Sequence, residues 1–157
     1  KQGITIRFKE EDVRAMGRTA HGVRGITLEP GDEVIGMETI TPDSTTAILT
    51  VTEGGYGKRT PVNEYRVQGR GGKGIISVKT TERNGPAVGF LQVRDEDEIM
   101  LMAAQGKVLR CKVDDIREIG RNTQGVRLLD MDGDEDRVVA VVRLVEREEG
   151  VPEEGES

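Results

Sequence analysis

Apolar positions in this chain gather in short runs rich in Ile, Val and Thr, such as EVIGMETI (33–40), AVGFLQV (87–93) and RVVAVVRLV (137–145). Turn dipeptides precede them at Pro30-Gly31, Asn84-Gly85 and Asp132-Gly133. Short β-branched runs bounded by turns predict strands rather than helices. One passage departs from that pattern. Val13/Met16 and Ile116/Ile119 stand three apart just before a Gly-Arg pair, which predicts one helical or 3₁₀ turn packing an apolar pair onto a sheet.

The pattern repeats. GITIRFKEEDVRAMGRTAHGVRGITL (3–28), GYGKRTPVNEYRVQGRGGKGIISVKT (55–80) and GKVLRCKVDDIREIGRNTQGVRLLDM (106–131) align along their whole length. Gly17-Arg18, Gly69-Arg70 and Gly120-Arg121 recur at spacings of 52 and 51, each followed by a second glycine at Gly22, Gly74 and Gly125. Arg7, Arg59 and Arg110 recur in the opening strand. About four strands per fifty residues is the spacing of a propeller-type blade, which must stack on neighbours to bury its faces. The expected units are a first, incomplete blade (1–40), a second (41–93), a third (94–145) and a disordered acidic tail (146–157). Lys1 opens inside a strand-like run, as a piece of a longer chain would.

Charge changes the picture. The net charge of −6 argues against a polyanion as partner, but the last twelve residues alone contribute −5. Residues 3–28 carry five bases and three acids, 55–80 six and one, and 106–131 six and four, giving +2, +5 and +2. The stretches 29–54, 80–105 and 132–145 net −6, −3 and −2. Equivalent segments of stacked blades occupy equivalent places, so the cations should share a rim. Aromatic residues are only 3% of the chain, too few to stack single-stranded bases. Cations on glycine-rich loops suit the phosphate backbone of a duplex, which curved stacking would bend. The candidate contacts are Arg7, Arg18, Arg24, Lys58, Arg59, Arg70, Lys73, Arg110, Arg121 and Arg127. A protein-binding scaffold is the alternative.

Other chemistries are excluded one by one. QGRGGKG (68–74) contains G-x-G-x-x-G, but a β-branched run follows where a dinucleotide site needs a helix, and Ile75-Ile76 replaces the Lys-Ser/Thr of a P-loop. DMDGDEDR (130–137) lacks the sixth-position glycine and twelfth-position acid of a calcium loop. The single cysteine, Cys111, and single histidine, His21, offer no disulfide and no metal set. No apolar run reaches a membrane span. We expect no catalytic residue, no metal and a cytoplasmic setting.

VRAMG (13–17), GVRGI (22–26), GYGKRT (55–60), KGIISVK (73–79), TERNG (81–85) and GRNTQGV (120–126) resemble the carboxy-terminal domain of the DNA gyrase A subunit, up to about residue 145. QGRGGKG is similar to that family's Q-R-R-G-G-K-G box, with Gly69 where the first arginine would stand, so Gln68, Arg70, Gly71, Gly72, Lys73 and Gly74 are matching positions. The resemblance implies an all-β pinwheel of four-stranded antiparallel blades, here about three repeats of a partial ring. It implies a segment that wraps duplex DNA for an ATP-dependent type II topoisomerase, with ATP, Mg and the cleavage tyrosine elsewhere in an A2B2 complex. The equivalent domain of topoisomerase IV is the near alternative.

Overall fold

The computed structural model describes residues 1–42 and 44–144; within them every pairing between two strands is antiparallel, and two isolated parallel bridges, Arg7↔Val67 and Arg59↔Glu118, join successive repeats. The strands are β1 (Ile4–Thr5), β2 (Ala47–Thr52), β3 (Tyr56–Pro61), β4 (Ile75–Ile76), β5 (Ala87–Val93), β6 (Glu98–Ala103), β7 (Val108–Lys112), β8 (Val126–Arg127) and β9 (Val138–Leu144). Short 3₁₀ turns at Glu10–Asp12, Val62–Glu64 and Val113–Asp115 fall at the same place in each repeat, just ahead of the expected apolar pair. Among the described residues there is no α-helix.

Three sheets form, in the orders β1-β4, β5-β2-β3-β8 and β7-β6-β9. In the first two, the last strand comes from the following repeat. β4 pairs with β1 through Ile4↔Ile76 and Thr5↔Ile75, and β8 pairs with β3 through Tyr56↔Arg127 and Gly57↔Val126, in the same register. A bulge recurs too, at Val51/Thr52 on β2 and at Met102/Ala103 on β6. Strand exchange therefore binds each repeat to the next through backbone hydrogen bonds, not only through packed faces.

Alternation along the central strands places side chains on two sides. Leu49 and Val51 of β2 and Val93 of β5 join Ile99, Leu101, Val113, Ile116 and Val138 in one cluster that spans the second and third repeats. Ile48 points the other way, onto Val62 and Tyr65. Each such fully buried aliphatic side chain contributes about 1.5–3 kcal/mol.

The structure corrects two expectations. Residues 33–40 form no strand, and Val34 and Met37 are 64% and 82% exposed. Their counterparts β5 and β9 pair on β2 and β6, and residues 1–32 contain no strand equivalent to those two. For the same reason Val13 is 43% exposed, whereas Ile116 at the equivalent place is 2% exposed and packed in the core. The expected acidic tail, 146–157, lies outside the described residues.

Candidate nucleic-acid interface

The recurring glycine-rich loops are where strand exchange sets up the site. Each loop lies on the preceding repeat. Gly71 N–H donates to Gly25 O (2.7 Å) and Thr27 N–H to Gly72 O (2.8 Å); one repeat on, Lys79 N–H donates to Thr123 O (2.9 Å), the counterpart of the second bond. The closing glycine is what allows this approach. Gly74 has φ +77°, and a Cβ there would sit 2.3 Å from Thr5 O; Gly125 has φ +82° and would meet Gly57 O at 2.8 Å.

In the second and third repeats the arginine of the Gly-Arg pair reaches back to the equivalent carbonyl. Arg70 Nη1 donates to Arg24 O (2.6 Å) and Arg121 Nη1 to Ile76 O (2.7 Å), while Arg70 Nε adds a bond to Asp12 O (2.9 Å). These two arginines thus occupy equivalent seats at successive junctions, half-buried. Arg18 is exposed and has no earlier repeat to hold among the described residues.

A second set reaches forward. Arg7 Nη1 donates to Val62 O and Tyr65 O (both 3.1 Å), and Arg59 Nε to Ile116 O (2.7 Å), where Ile116 is the counterpart of Tyr65. Arg59 also pairs with Asp95. Their donors face the next repeat's 3₁₀ turn, which makes Arg7 and Arg59 junction brackets. Arg110, in the third repeat, instead bonds Glu98 through Nε (3.0 Å).

Lys58 is withdrawn from the rim. Its residue exposure is 0%, and Nζ donates to Gly120 O (2.7 Å), Arg121 O, Thr123 O (3.3 Å) and Thr123 Oγ1 (2.9 Å). Burial lowers its ammonium to about 8; nearby Glu64 opposes the drop and Arg121 adds to it. Lys58 organises the GRNTQG loop from beneath, and no phosphate can touch it.

The remaining candidates face solvent. Lys73 is 81% exposed on its side chain, with Glu29 at 3.8 Å. Arg24 is exposed, and its carbonyl is the acceptor for Arg70. Arg127 is exposed and bonds Asp130 (2.9 Å) and Tyr56 Oη (2.8 Å). Gly72 is exposed, whereas Gln68 donates its backbone N–H to Arg7 O (2.7 Å) and buries an Nε2 that has no partner among the described residues.

Two features escaped the sequence reading. Arg83, from an acidic half, shares Tyr56 with Arg127: its Nε lies 2.8 Å from Oη, and the guanidinium carbons lie 5.2 and 5.3 Å from the ring centroid. Arg127, then Arg83, hold that phenol below its usual value. The other is an arginine in phase with every Gly-Arg pair, at Arg14, Arg66 and Arg117, which the motif R-x-x-G-R (14–18, 66–70, 117–121) would have exposed.

Among the described residues, neither Tyr65 nor Cys111 is activated as a nucleophile. Tyr65 is buried, its hydroxyl 2.9 Å from Ser77 Oγ, and burial raises its pKa. Burial likewise pushes the Cys111 thiol up, the opposite of activation. Among the described residues no three His, Cys, Asp or Glu side chains converge on a metal site, and no helix is long and apolar enough to cross a membrane.

The family model described as "DNA gyrase C-terminal domain, beta-propeller" matches residues 1–41, 46–94 and 97–144. The DNA gyrase A subunit of Salmonella typhimurium is 51% identical over 144 residues, 92% of this chain and 16% of that protein. The chain thus spans about a sixth of the length of that relative. A solved DNA gyrase A C-terminal domain superposes with TM-score 0.80 at 30% identity, over 92% of this chain and 48% of that one. A solved topoisomerase IV C-terminal domain gives TM-score 0.84 at 28% identity, over 91% and 44%. On the match along all three repeats, this chain belongs to the DNA gyrase C-terminal domain family.

Proposed function

We propose that this chain binds duplex DNA through phosphates and bends it along the edge where the glycine-rich loops meet, as the wrapping part of the gyrase A protein. The observation that carries the reading is the equivalent seating of Arg70 and Arg121 at successive junctions, which sets the exposed cations flanking them, Arg66 and Lys73 at one and Arg117 and Arg127 at the next, at a regular step. A row of like charges at a regular step suits a polyanion of regular pitch and reads no base. The parent is then an ATP-dependent type II topoisomerase that introduces negative supercoils. ATP and Mg would be bound by the rest of the A2B2 complex, in the cytoplasm on the nucleoid, and this segment would supply no catalytic group.

A salt titration tests it. Affinity for a duplex of arbitrary sequence should fall steeply as salt rises, and Arg70→Ala with Lys73→Ala, which removes a junction brace and one exposed cation, should weaken binding and flatten the slope by about one. Negligible affinity at low salt would favour a protein-binding scaffold instead. The likeness to the topoisomerase IV domain keeps that enzyme as the second parent, separable by whether the holoenzyme carrying this chain supercoils or only relaxes DNA.

A further inference from the structure

Arg14, Arg66 and Arg117 recur at 52 and 51 residues, the step of the Gly-Arg pair, and each stands four residues before the arginine of that pair. All three are exposed. Among the described residues none of their side chains donates a hydrogen bond or lies in an ion pair, in contrast to Arg7, Arg59, Arg70, Arg110 and Arg121.

The orientation of Arg66 and Arg117 follows from the residue before each one, and Arg14 holds the same place in the first repeat. Val13, Tyr65 and Ile116 end the 3₁₀ turns in extended backbone, at φ/ψ of −107/107, −93/97 and −88/125. Successive side chains of extended backbone point to opposite sides. Tyr65 and Ile116 point into the core, so Arg66 and Arg117 point away from it. The segment is also held firmly: Arg59 N–H donates to Arg117 O (3.3 Å) and Ile119 N–H to Arg59 O (3.0 Å), and Gln68 N–H to Arg7 O (2.7 Å) does the equivalent one repeat earlier. Free guanidiniums on the fixed backbone at Arg66 and Arg117 are suited to receive phosphate oxygens with little reorganisation, and Arg14 continues the step into the first repeat.

We propose that Arg14, Arg66 and Arg117 form a row of phosphate contacts, one per repeat, while the Gly-Arg arginines beside them hold the junctions. The inference rests on the duplex-binding reading above. It divides R-x-x-G-R into a contacting arginine and a bracing arginine.

The test uses the whole chain and a duplex of arbitrary sequence. Replacing Arg14, Arg66 and Arg117 together by Ala should lower the salt slope by about three and weaken binding at 0.1 M salt by roughly a hundred- to a thousandfold, about tenfold per contact. The Lys triple should recover most of the affinity, because a phosphate contact needs the charge and a structural role would not be restored that way. A charge-matched control, Arg94→Ala, Arg137→Ala and Arg143→Ala, taken from the acidic halves, should change binding less than about threefold. Arginine-modification footprinting of the native chain should show Arg14, Arg66 and Arg117 protected by the duplex, a readout needing no variant. An unchanged salt slope, an equal loss in the control, or unprotected arginines would overturn the row and leave duplex binding standing. No affinity in the native chain at low salt would remove both.

Discussion

Lys58 gives a prediction whose sign and size follow from its surroundings. Its ammonium sits at zero exposure among the carbonyls of Gly120, Arg121 and Thr123, in no ion pair among the described residues, and burial lowers it to about 8 from 10.5 against the opposing charge of Glu64. Below about pH 8 folded and unfolded chains both hold the proton, and the full cost of burying the charge is present. Between about 8 and 10.5 the unfolded chain still holds a proton that the folded one has released, so stability rises with pH; above 10.5 the gain is complete. At about 1.4 kcal/mol per pKa unit the rise amounts to at most about 3 kcal/mol, and to several degrees in Tm. Cys111, raised by burial, works the other way and trims the rise at its upper end. Urea unfolding followed by circular dichroism at pH 7, 8, 9 and 10 measures it, with Lys58→Met as the reference. Whatever the variant's absolute stability, the difference in stability between native and Lys58→Met should shift toward the native chain as pH rises from 8 to 10. Parallel pH curves for the two proteins would refute a buried charged lysine.

Three further outcomes follow from the junctions. Gly74→Ala should destabilise by roughly 2–4 kcal/mol in urea unfolding, because it combines positive φ with a Cβ 2.3 Å from Thr5 O, whereas Gly69→Ala, with nothing within 4 Å and no positive φ, should stay within about 0.5 kcal/mol. Arg59→Ala should cost about 1–3 kcal/mol by freeing the Ile116 carbonyl at the junction, and Arg110→Ala, exposed and bonded only to Glu98, under about 0.5 kcal/mol. Asn84→Leu should cost more than about 2 kcal/mol, since the fully buried amide bonds Lys79 O (2.9 Å), Gln124 O (3.1 Å) and Thr81 N–H (2.7 Å); thermal melts of the chain check it.

The repeat was legible because its punctuation is dictated by backbone geometry. Gly22, Gly74 and Gly125 share φ near +80° (78, 77 and 82°), which side-chain-bearing residues avoid, so the closing glycine shows in any copy of the unit. Strand runs were legible in their β-branched content, whereas the 3₁₀ turns lie just ahead of the apolar pairs whose spacing predicts them, and Val13 and Ile116 are themselves extended. Residues 33–40 misled because strand propensity describes a segment and says nothing about whether a pairing partner lies beside it. Lys58 misled because residue type does not tell which face of a strand is covered; the loop of the next repeat covers it, and that contact spans more than sixty positions. Arg7 and Arg59 were hidden the same way. Arg66 and Arg117 could have been seen, since their period was in plain view.

The central claim is that a duplex curves against this chain. Fluorophores at the two ends of a short duplex, read by energy transfer while the chain is titrated at low salt, report that curvature directly. Transfer should rise on saturation, fall back as salt is added, and rise much less with the Arg70→Ala/Lys73→Ala chain. Saturated binding with no change in end-to-end transfer would contradict it.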